Sequence, residues 1–195
     1  MTYSEFKEVV CGDVYRESGD ASSKEFRRRF FCDAAFRCVF FYRLGKLMKA
    51  SGGCMRFFSK WLSFIRKRQT IKYGVRIPLE TEVGTGLYVG HTGGIWISRE
   101  VIIGKNCNIS HNVTLGAISK GAGKGAPTIG DQVYIGPGAV ISGKVTIGDN
   151  ALIGANSVVL TDVPENGVFI GVPAKLFSKA GSEHYMSHLV QDLSQ

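Results

Sequence analysis

The most constraining feature of this sequence is an aliphatic residue that recurs at every sixth position between residues 77 and 159. The residue after it is usually glycine or serine, as in IGKNCN, IGDQVY, IGPGAV and IGDNAL. Thirteen such units keep step in three runs, which begin at Ile77, Ile97 and Ile129. A period of six fits neither an α-helix nor simple strand alternation, so the pattern indicates an internal repeat.

A strand and a turn in every six residues predict a coil with three flat faces and about 18 residues per turn. The aliphatic residue points inward, and the small residue after it lets the chain turn tightly at each corner. Successive coils should stack at the ordinary strand spacing of about 4.8 Å. Each ring of aliphatic side chains is then buried only against the rings of the neighbouring coils.

The chain changes composition near residue 73. Residues 1–73 carry 16 Lys and Arg against 7 Asp and Glu, whereas residues 74–195 carry 8 against 9. We predict a basic α-helical segment over residues 1–73, a β domain over 74–177 with an excursion loop at 116–128, and a tail over 178–195. Helices are expected at about 3–17, 24–50 and 54–69, with Asp20 or Ser22 capping the second.

The third predicted helix carries an apolar stripe with basic residues beside it. The stripe consists of Phe57, Phe58, Trp61, Leu62 and Ile65. We expect it to pack on the rest of the chain or on another subunit, with its charges facing solvent. A peripheral membrane contact, made by a basic amphipathic surface on anionic lipid, is the alternative. Because no recognition motif accompanies the charge, we expect no nucleic-acid partner.

Other features of the chain restrict its location and chemistry. No apolar run approaches the roughly 20 residues of a membrane span, and the N-terminus MTYSEFKEVV lacks a signal-peptide pattern, so we expect a cytoplasmic protein. The five cysteines are irregularly spaced, without a CxxC pair. They predict neither a disulfide framework nor a zinc site, and we expect no metal.

Apart from the excursion loop, the six-residue rhythm breaks once, directly after His91. Eight residues separate Val89 from Ile97 where six would suffice. We predict that the corner bulges outward there and carries His91 with it, because Gly93 and Gly94 supply the necessary backbone freedom.

Counting coils predicts which corner residues lie above one another. The third residues of the units that begin at Val89, Ile109, Ile135 and Ile153 should form one column along an edge, and they are His91, His111, Pro137 and Ala155. A neutral imidazole can remove the proton from an alcohol that attacks a thioester and return it to the leaving thiolate. We therefore predict His91 as a general base for acyl transfer to a hydroxyl, with His111 in a secondary role. His184 and His188, in the tail, are expected to be surface residues.

This repeat resembles that of the hexapeptide-repeat acyltransferases, over roughly residues 70–177. The resemblance implies a mainly β fold, a left-handed parallel β-helix preceded here by an α-helical segment. It also implies acetyl-CoA as the donor and a homotrimer, or a dimer of trimers, with active sites between subunits. The expected acetyl-CoA residues are Gly116, Ala117, Pro137, Ala155, Asn156 and Lys175, while Lys120 and Lys124 could also meet its phosphates.

Within this family the chain is similar to the serine acetyltransferases, in the stretches GHTGG, LGAISKGAGKGAPTIG and GVPAK. His91 matches their catalytic histidine. The residues that serve the serine substrate differ, however: the aspartate before the histidine is Gly90, the aspartate that orients the histidine is Arg76, and an Arg-His pair is Gly125-Ala126. Glu80 is a weak candidate for orienting His91 instead.

These departures indicate an acetyltransferase with an acceptor other than serine. The chain also resembles the sugar and surface-polysaccharide O-acetyltransferases, such as the colanic-acid type, which keep the histidine but lack the serine-binding residues. This resemblance implies an acetyl-CoA-dependent O-acetyltransferase that acts on a sugar hydroxyl of a surface polysaccharide or its precursor. A serine O-acetyltransferase is the alternative within the same class. Two alternatives belong to other classes: a metal-dependent β-helix hydratase, which would require a third histidine near His91 and His111, and a scaffold without catalytic activity.

Overall fold

The computed structural model describes residues 1–50 and 55–190, with only the backbone described for residues 55–57. Helices come first in the chain and strands follow. The helices are α1 Tyr3–Ser18, α2 Ser23–Cys32, α3 Ala34–Ala50 and α4 Met55–Tyr73. A short 3-10 helix, Glu183–Tyr185, follows the last strand.

The strands are two to five residues long, as a six-residue repeat requires. They are β1 Val75–Arg76, β2 Glu82–Val83, β3 Tyr88–Val89, β4 Ile95–Ile97, β5 Ile102–Ile103, β6 Asn108–Ile109, β7 Thr114–Gly116, β8 Thr128–Ile129, β9 Tyr134–Ile135, β10 Val140–Ser142, β11 Thr146–Ile147, β12 Leu152–Ile153, β13 Val158–Val159, β14 Val168–Gly171 and β15 Ala174–Ser178.

Every third strand along the chain belongs to the same sheet, which confirms the three-faced coil. The first sheet has the order β1-β4-β7-β10-β13, the second β11-β8-β5-β2, and the third β15-β14-β12-β9-β6-β3. All neighbours are parallel except β14 and β15, which form an antiparallel pair at the end. The repeated aliphatic residues fill the interior, and Leu115, Ile135 and Ile141 are fully buried.

The helices differ from the sequence prediction at one break. The predicted helix over 24–50 is two helices, because Asp33 adopts an extended conformation between them. Its carboxylate accepts the N–H groups of Ala35 and Phe36 and so begins α3. The predicted cap at Ser22 is confirmed, since its side chain accepts the Glu25 N–H at 3.2 Å.

A buried ion pair attaches the helices to the first coil of the β-helix. Asp13 of α1 and Arg43 of α3 are 2% and 1% exposed, and Arg43 Nε lies 2.9 Å from Asp13 Oδ2. The same carboxylate accepts the N–H groups of Gly86 and Leu87, at 3.0 and 2.9 Å. Arg43 also donates to the carbonyl of Val83 at 2.6 Å. Charged side chains therefore join the two regions to each other.

The apolar stripe of the third predicted helix is only partly buried within the chain. Of its members in α4, Leu62 is buried, whereas Phe58 and Trp61 are 52% and 63% exposed. The side chain of Phe57 lies outside the described residues. None of the helices within residues 1–50 and 55–190 combines the length and apolar content that crossing a bilayer would take.

Candidate functional site

The predicted column of corner residues is confirmed by the register of the third sheet. Val89 pairs with Ile109, Ile109 with Ile135, and Ile135 with Ile153. The corners that follow these four residues therefore lie above one another along a single edge of the prism. This edge joins the third sheet to the first, and it carries the two histidines of the repeat domain.

The backbone ladder shows where the surplus residues of the first corner lie. Before the break the ladder keeps the regular pairing, because the Gly90 N–H donates to the Ile109 carbonyl of the next coil at 3.3 Å. After it, the Asn112 N–H donates to the Gly93 carbonyl at 2.7 Å. One coil later the His111 carbonyl has the same acceptor role, towards Gly138 at 3.0 Å. The ladder thus resumes at Gly93, two residues later than the repeat requires.

His91 and Thr92 are therefore the two surplus residues. This corrects the sequence prediction in one respect, because Gly93 fills the column position that was expected for His91. Gly93 and Gly94 have φ values of 110° and 67°, which only glycine adopts at little cost. The loop that they close leaves the His91 side chain exposed, beside the column.

The two histidines meet in one cleft, which we call the histidine cleft. Its volume is about 270 Å³, and it is lined by Tyr88, Gly90, His91, Asn108, Ile109, Ser110, His111, Tyr134 and Pro137. The ring centroids of His91 and His111 are 5.9 Å apart, with the planes at 67°. Within the described residues, no hydrogen bond joins the His91 imidazole to another group. The cleft can hold a small hydroxyl compound beside an exposed imidazole.

Sequence reasoning missed three polar residues of this cleft, which share one position in the repeat. Tyr88, Asn108 and Tyr134 each directly precede an inward aliphatic residue of the third sheet. Because side chains alternate along a strand, this position faces outward, next to the column. The coil count could therefore have identified them.

Tyr88 connects the cleft with the charges of the helices. Burial raises the pKa of its phenol, and the nearby Glu17 carboxylate raises this pKa further, against the opposing effect of Arg29. Glu17 and Arg29 themselves form an ion pair. Tyr88 is thus a neutral hydrogen-bonding group at the wall of the histidine cleft.

The absent side chain at Gly90 leaves space beside Tyr88. A Cβ atom there would lie 3.4 Å from Cε1 and 3.8 Å from the hydroxyl of Tyr88, which is ordinary contact distance. The backbone of Gly90 is not in the left-handed region. The site could therefore accommodate an aspartate at position 90, but the chain does not have one.

The structure does not bring Glu80 to His91. Glu80 lies 3.6 Å from Lys49 and lines a different cleft, which it shares with Arg66, Arg76 and Arg99. The physical reason is that Glu80 precedes β2, on another corner of the first coil. Within one chain, Glu80 therefore lies away from the His91 ring, and its role in orienting that ring stays a prediction.

Two of the residues expected to meet acetyl-CoA extend the column beyond the cleft. Ala155 and Asn156 are exposed in the coil after Pro137. Among the described residues, the Ala155 N–H has no acceptor, so it is available to a ligand. Pro137 has no N–H, and the adjacent Gly136 and Gly138 donate theirs within the ladder. The amides beside Pro137 are therefore used within the ladder, whereas that of Ala155 can meet a ligand.

The remaining acetyl-CoA candidates lie at two other places. Lys175 is exposed on β15, opposite Ile170 of β14, at the end of the third sheet. Gly116 ends β7 and Ala117 starts the excursion loop, at the edge between the first and second sheets. The Ala117 N–H donates to Ser98 Oγ at 3.0 Å. Within one chain, Gly116 and Ala117 are separated from the histidine column by the width of the first sheet.

The excursion loop is a small hairpin that depends on a glycine. Ile118 and Gly125 exchange both backbone hydrogen bonds, at 2.9 and 3.0 Å. Gly125 has a φ of 139°, and a Cβ atom there would lie 2.8 Å from Lys144 Cβ. An arginine at position 125 is therefore incompatible with this loop conformation.

Arg76 also has a role that is unrelated to the histidines. Its guanidinium carbon lies 5.5 Å from the centroid of the Trp96 ring, on the outer face of the first sheet. This is a cation–π contact.

In the part of the chain that the structure describes, no group of three or more His, Cys, Asp or Glu side chains is arranged to hold a metal ion.

Comparison with known proteins agrees with this geometry. Residues 126–161 match the family described as bacterial transferase hexapeptide (six repeats). The serine acetyltransferase of Neisseria gonorrhoeae, solved in complex with serine, is 31% identical and superposes with a TM-score of 0.74, over 90% of this chain and 70% of that one. The chain belongs to the hexapeptide-repeat transferases. The resemblance predicted from the sequence and the left-handed parallel β-helix that it implied are thereby confirmed.

Two further relatives of this hexapeptide-repeat transferase extend the comparison. The serine acetyltransferase of Brucella abortus, solved in complex with coenzyme A, is 28% identical with a TM-score of 0.73, over 92% of this chain and 69% of that one. The serine acetyltransferase of Synechococcus elongatus is 39% identical over 108 residues, which are 55% of this chain and 44% of the relative. The chain spans about half the length of the curated relatives that it matches.

Proposed function

We propose that this protein is an acetyl-CoA-dependent O-acetyltransferase in which His91 is the general base. The observation that carries the proposal is the displacement of His91 from the column by a two-residue surplus, into a cleft that it shares with His111. This interruption leaves two residues outside the hydrogen-bonded ladder of an otherwise regular repeat. It also leaves the His91 imidazole exposed, where a substrate can reach it. The serine acetyltransferases that superpose on this chain support the donor and the reaction type.

His91 would transfer one proton in each of two steps, the attack on the thioester and the departure of coenzyme A. The neutral imidazole removes the proton from the acceptor hydroxyl while the hydroxyl oxygen attacks the thioester carbonyl carbon. The tetrahedral intermediate then expels the thiolate of coenzyme A, which receives the proton from the imidazolium. His111, with its ring 5.9 Å from that of His91, contacts the acceptor or assists in this transfer. Backbone N–H groups would stabilise the negative charge on the carbonyl oxygen.

L-Serine is the acceptor that the comparisons favour. The relatives reported above are all serine acetyltransferases, and one was solved with serine bound. The sugar acceptor predicted first from the sequence has no support from these similarities. We therefore propose L-serine as the first acceptor to be tested.

A sugar hydroxyl remains the second candidate, because of one specific observation. The resemblance puts an Arg-His pair for the serine carboxylate at Gly125-Ala126, and the loop conformation at Gly125 excludes an arginine. Gly90 likewise lacks the carboxylate that the serine enzymes have at this position. A larger acceptor without a zwitterionic group would need neither the Arg-His pair nor the carboxylate.

We also propose that the complete site forms between subunits of a homotrimer. The support is geometric: Gly116 and Ala117 lie on a different edge from the histidine column within one chain. Two copies that meet edge to edge would bring both groups to one molecule of acetyl-CoA. Its phosphates would then meet Asn156 and the lysines Lys120, Lys124 and Lys175.

An acceptor screen tests the proposal. Purified protein is incubated with acetyl-CoA and either L-serine or a panel of nucleotide sugars, and thiol release is followed in parallel. Turnover with L-serine alone supports the first acceptor, and turnover with a sugar alone supports the second. Equal thiol release by the protein and its His91→Ala variant, with every acceptor, would overturn the catalytic assignment.

A further inference from the structure

Helix α4 presents a row of large apolar side chains to solvent. Trp61, Phe64 and Ile71 are 63%, 58% and 77% exposed. Their spacing of three and seven residues puts them on one face of the helix, together with Arg68. The guanidinium carbon of Arg68 lies 5.8 Å from the centroid of the Phe64 ring. This face, which we call the α4 face, is both aromatic and cationic.

The opposite side of α4 is firmly attached to the protein. Leu62 is 3% exposed. Arg66 donates to the Ile77 carbonyl at 2.5 Å, and the Thr70 hydroxyl donates to the Val75 carbonyl at 3.1 Å. The packing of α4 on the first strand therefore determines that the α4 face points outward.

The part of the chain that contains α3 and α4 carries only positive side-chain charge. Residues 34–73 contain ten Lys and Arg and no Asp or Glu. Within α4, Lys60 and Lys67 are exposed beside the aromatic row. An apolar face with lysine at its edge is typical of helices that lie in the interface of a bilayer.

A cleft beside the α4 face combines cations with apolar walls. Its volume is about 550 Å³, and it is lined by Arg37, Ile65, Arg68, Gln69, Ile71, Lys72 and Tyr73. Arg37 donates to the Tyr73 hydroxyl at 3.2 Å and to the Phe31 carbonyl at 2.9 Å. Phe31, which is 73% exposed, thus lies near its rim. Three cations and an apolar wall match the phosphate and the glycerol-acyl boundary of a phospholipid.

We propose that the α4 face binds the surface of an anionic phospholipid bilayer. Trp61, Phe64 and Ile71 would enter the boundary between head groups and acyl chains, while Lys60 and Lys67 face the head-group phosphates. A second copy of the chain is the other occupant to consider. A two-fold interface brings the same patch of both copies together, and here it would oppose two surfaces of positive charge. The charge therefore favours anionic lipid over a two-fold contact between two α4 faces.

Co-sedimentation with vesicles tests the proposal without any measurement of acetyl transfer. The full chain is mixed with vesicles of phosphatidylcholine alone, or of equal parts phosphatidylcholine and phosphatidylglycerol. We expect at least about tenfold stronger binding to the phosphatidylglycerol vesicles. Raising the salt concentration to about 0.5 M should weaken this binding, since it screens the head-group charge.

Two variants separate the apolar and charged contributions. Trp61→Ala/Phe64→Ala and Lys60→Glu/Lys67→Glu should each reduce binding to phosphatidylglycerol vesicles about tenfold or more. Leu160→Ala and Lys179→Glu are the matched controls, since both residues are exposed and follow β13 and β15, distant from α4. Both controls should bind as the parent does.

Tryptophan fluorescence tests the direct contact. The chain has two tryptophans, so Trp96→Phe leaves Trp61 as the sole emitter. Its emission should shift to shorter wavelength when phosphatidylglycerol vesicles are added. Absence of binding to these vesicles at low salt, or equal binding by the parent and both α4 variants, would overturn the proposal. A trimer or larger assembly that dissociates in Trp61→Ala/Phe64→Ala would also overturn it, because the α4 face would then cover another subunit.

Discussion

The helical segment and the β-helix bury different kinds of side chain. In the β-helix each coil places aliphatic residues such as Ile109, Ile135 and Ile153 against the same positions of its neighbours. The helical segment has a smaller core around Phe6, Val10 and Leu47, with phenylalanines packed edge to face beside it. Its connection to the β-helix combines a buried ion pair with apolar residues of α3, such as Val39 and Tyr42, that belong to the same cluster as the repeat. One region is thus stabilised by repetition, and the other by particular contacts that occur once.

This difference determines how each region should respond to substitution. A substitution that removes packing in one coil affects only the coils above and below it, because each coil contacts only its neighbours. Loss of one member of the buried Asp13–Arg43 pair leaves the other charge buried without its partner. The four variants that follow test this contrast, from the largest expected effect to the smallest.

His91→Ala should separate catalysis from the stability of the β-helix. We expect a loss of about 10²–10⁴-fold in kcat/KM, the usual contribution of a general base. Because the His91 side chain is exposed in a surplus loop, the unfolding transition should not change. Thiol release and thermal unfolding measure the two effects, with His184→Ala in the exposed tail as the control. A variant that loses activity only as it unfolds would contradict the assignment.

Asp13→Asn should weaken the attachment of the helices to the β-helix. Asparagine keeps the shape of the side chain but leaves the guanidinium of Arg43 buried without a counter-charge. We expect a destabilisation of about 3–5 kcal/mol, which is typical when one member of a buried pair is removed. Urea unfolding should show the helical signal melting before the β signal.

Glu8→Gln, on the exposed side of the same helix α1, is the matched control for Asp13→Asn. It should change the free energy of unfolding by less than about 0.5 kcal/mol. If Asp13→Asn were as small in effect, the ion pair could not be the junction between the two regions.

Ile135→Val should cost less, although Ile135 is fully buried. Removing one methylene from a well-packed core typically costs about 0.5–1.5 kcal/mol. The equivalent change Ile153→Val, one coil along, should cost a similar amount, because the two positions repeat. Chemical denaturation of both variants measures this equality. A difference of several kcal/mol between them would show that the coils are not equivalent.

Trp61→Ala/Phe64→Ala should have the smallest effect on stability. Both side chains are exposed on α4, and surface substitutions usually change the free energy of unfolding by less than about 0.5 kcal/mol per site. Thermal unfolding measures it. A large destabilisation would mean that these aromatic residues are part of the core of the helical segment.

Prediction from the sequence succeeded where the repeat determines position. Because one residue in six points inward, a count along the chain predicted that the corners of His111, Pro137 and Ala155 lie in one column, and the strand register confirms it. The same count could have identified Tyr88 and Tyr134. The count failed at His91 itself. Eight residues separate Val89 from Ile97, and a count cannot tell which two of them lie outside the hydrogen-bonded ladder.

Outside the repeat, local patterns predicted elements but not their partners. The cap at Ser22 depends on contacts within one turn, so it could be predicted. The break at Asp33 and the outward orientation of Trp61 depend on how the helices pack. Glu80 is close to His91 in sequence, but within one chain the two residues lie on different edges of the β-helix.

The sequence alone determined the coil, the resemblance to the family and the break beside His91, because these are local or periodic properties. The tertiary structure decided that Gly93 replaces His91 in the ladder and that Gly125 excludes an arginine. It also decided that Asp13 and Arg43 join the two regions and that α4 turns its aromatic row outward. These depend on backbone conformation and on contacts between residues far apart in the chain, which no periodicity records.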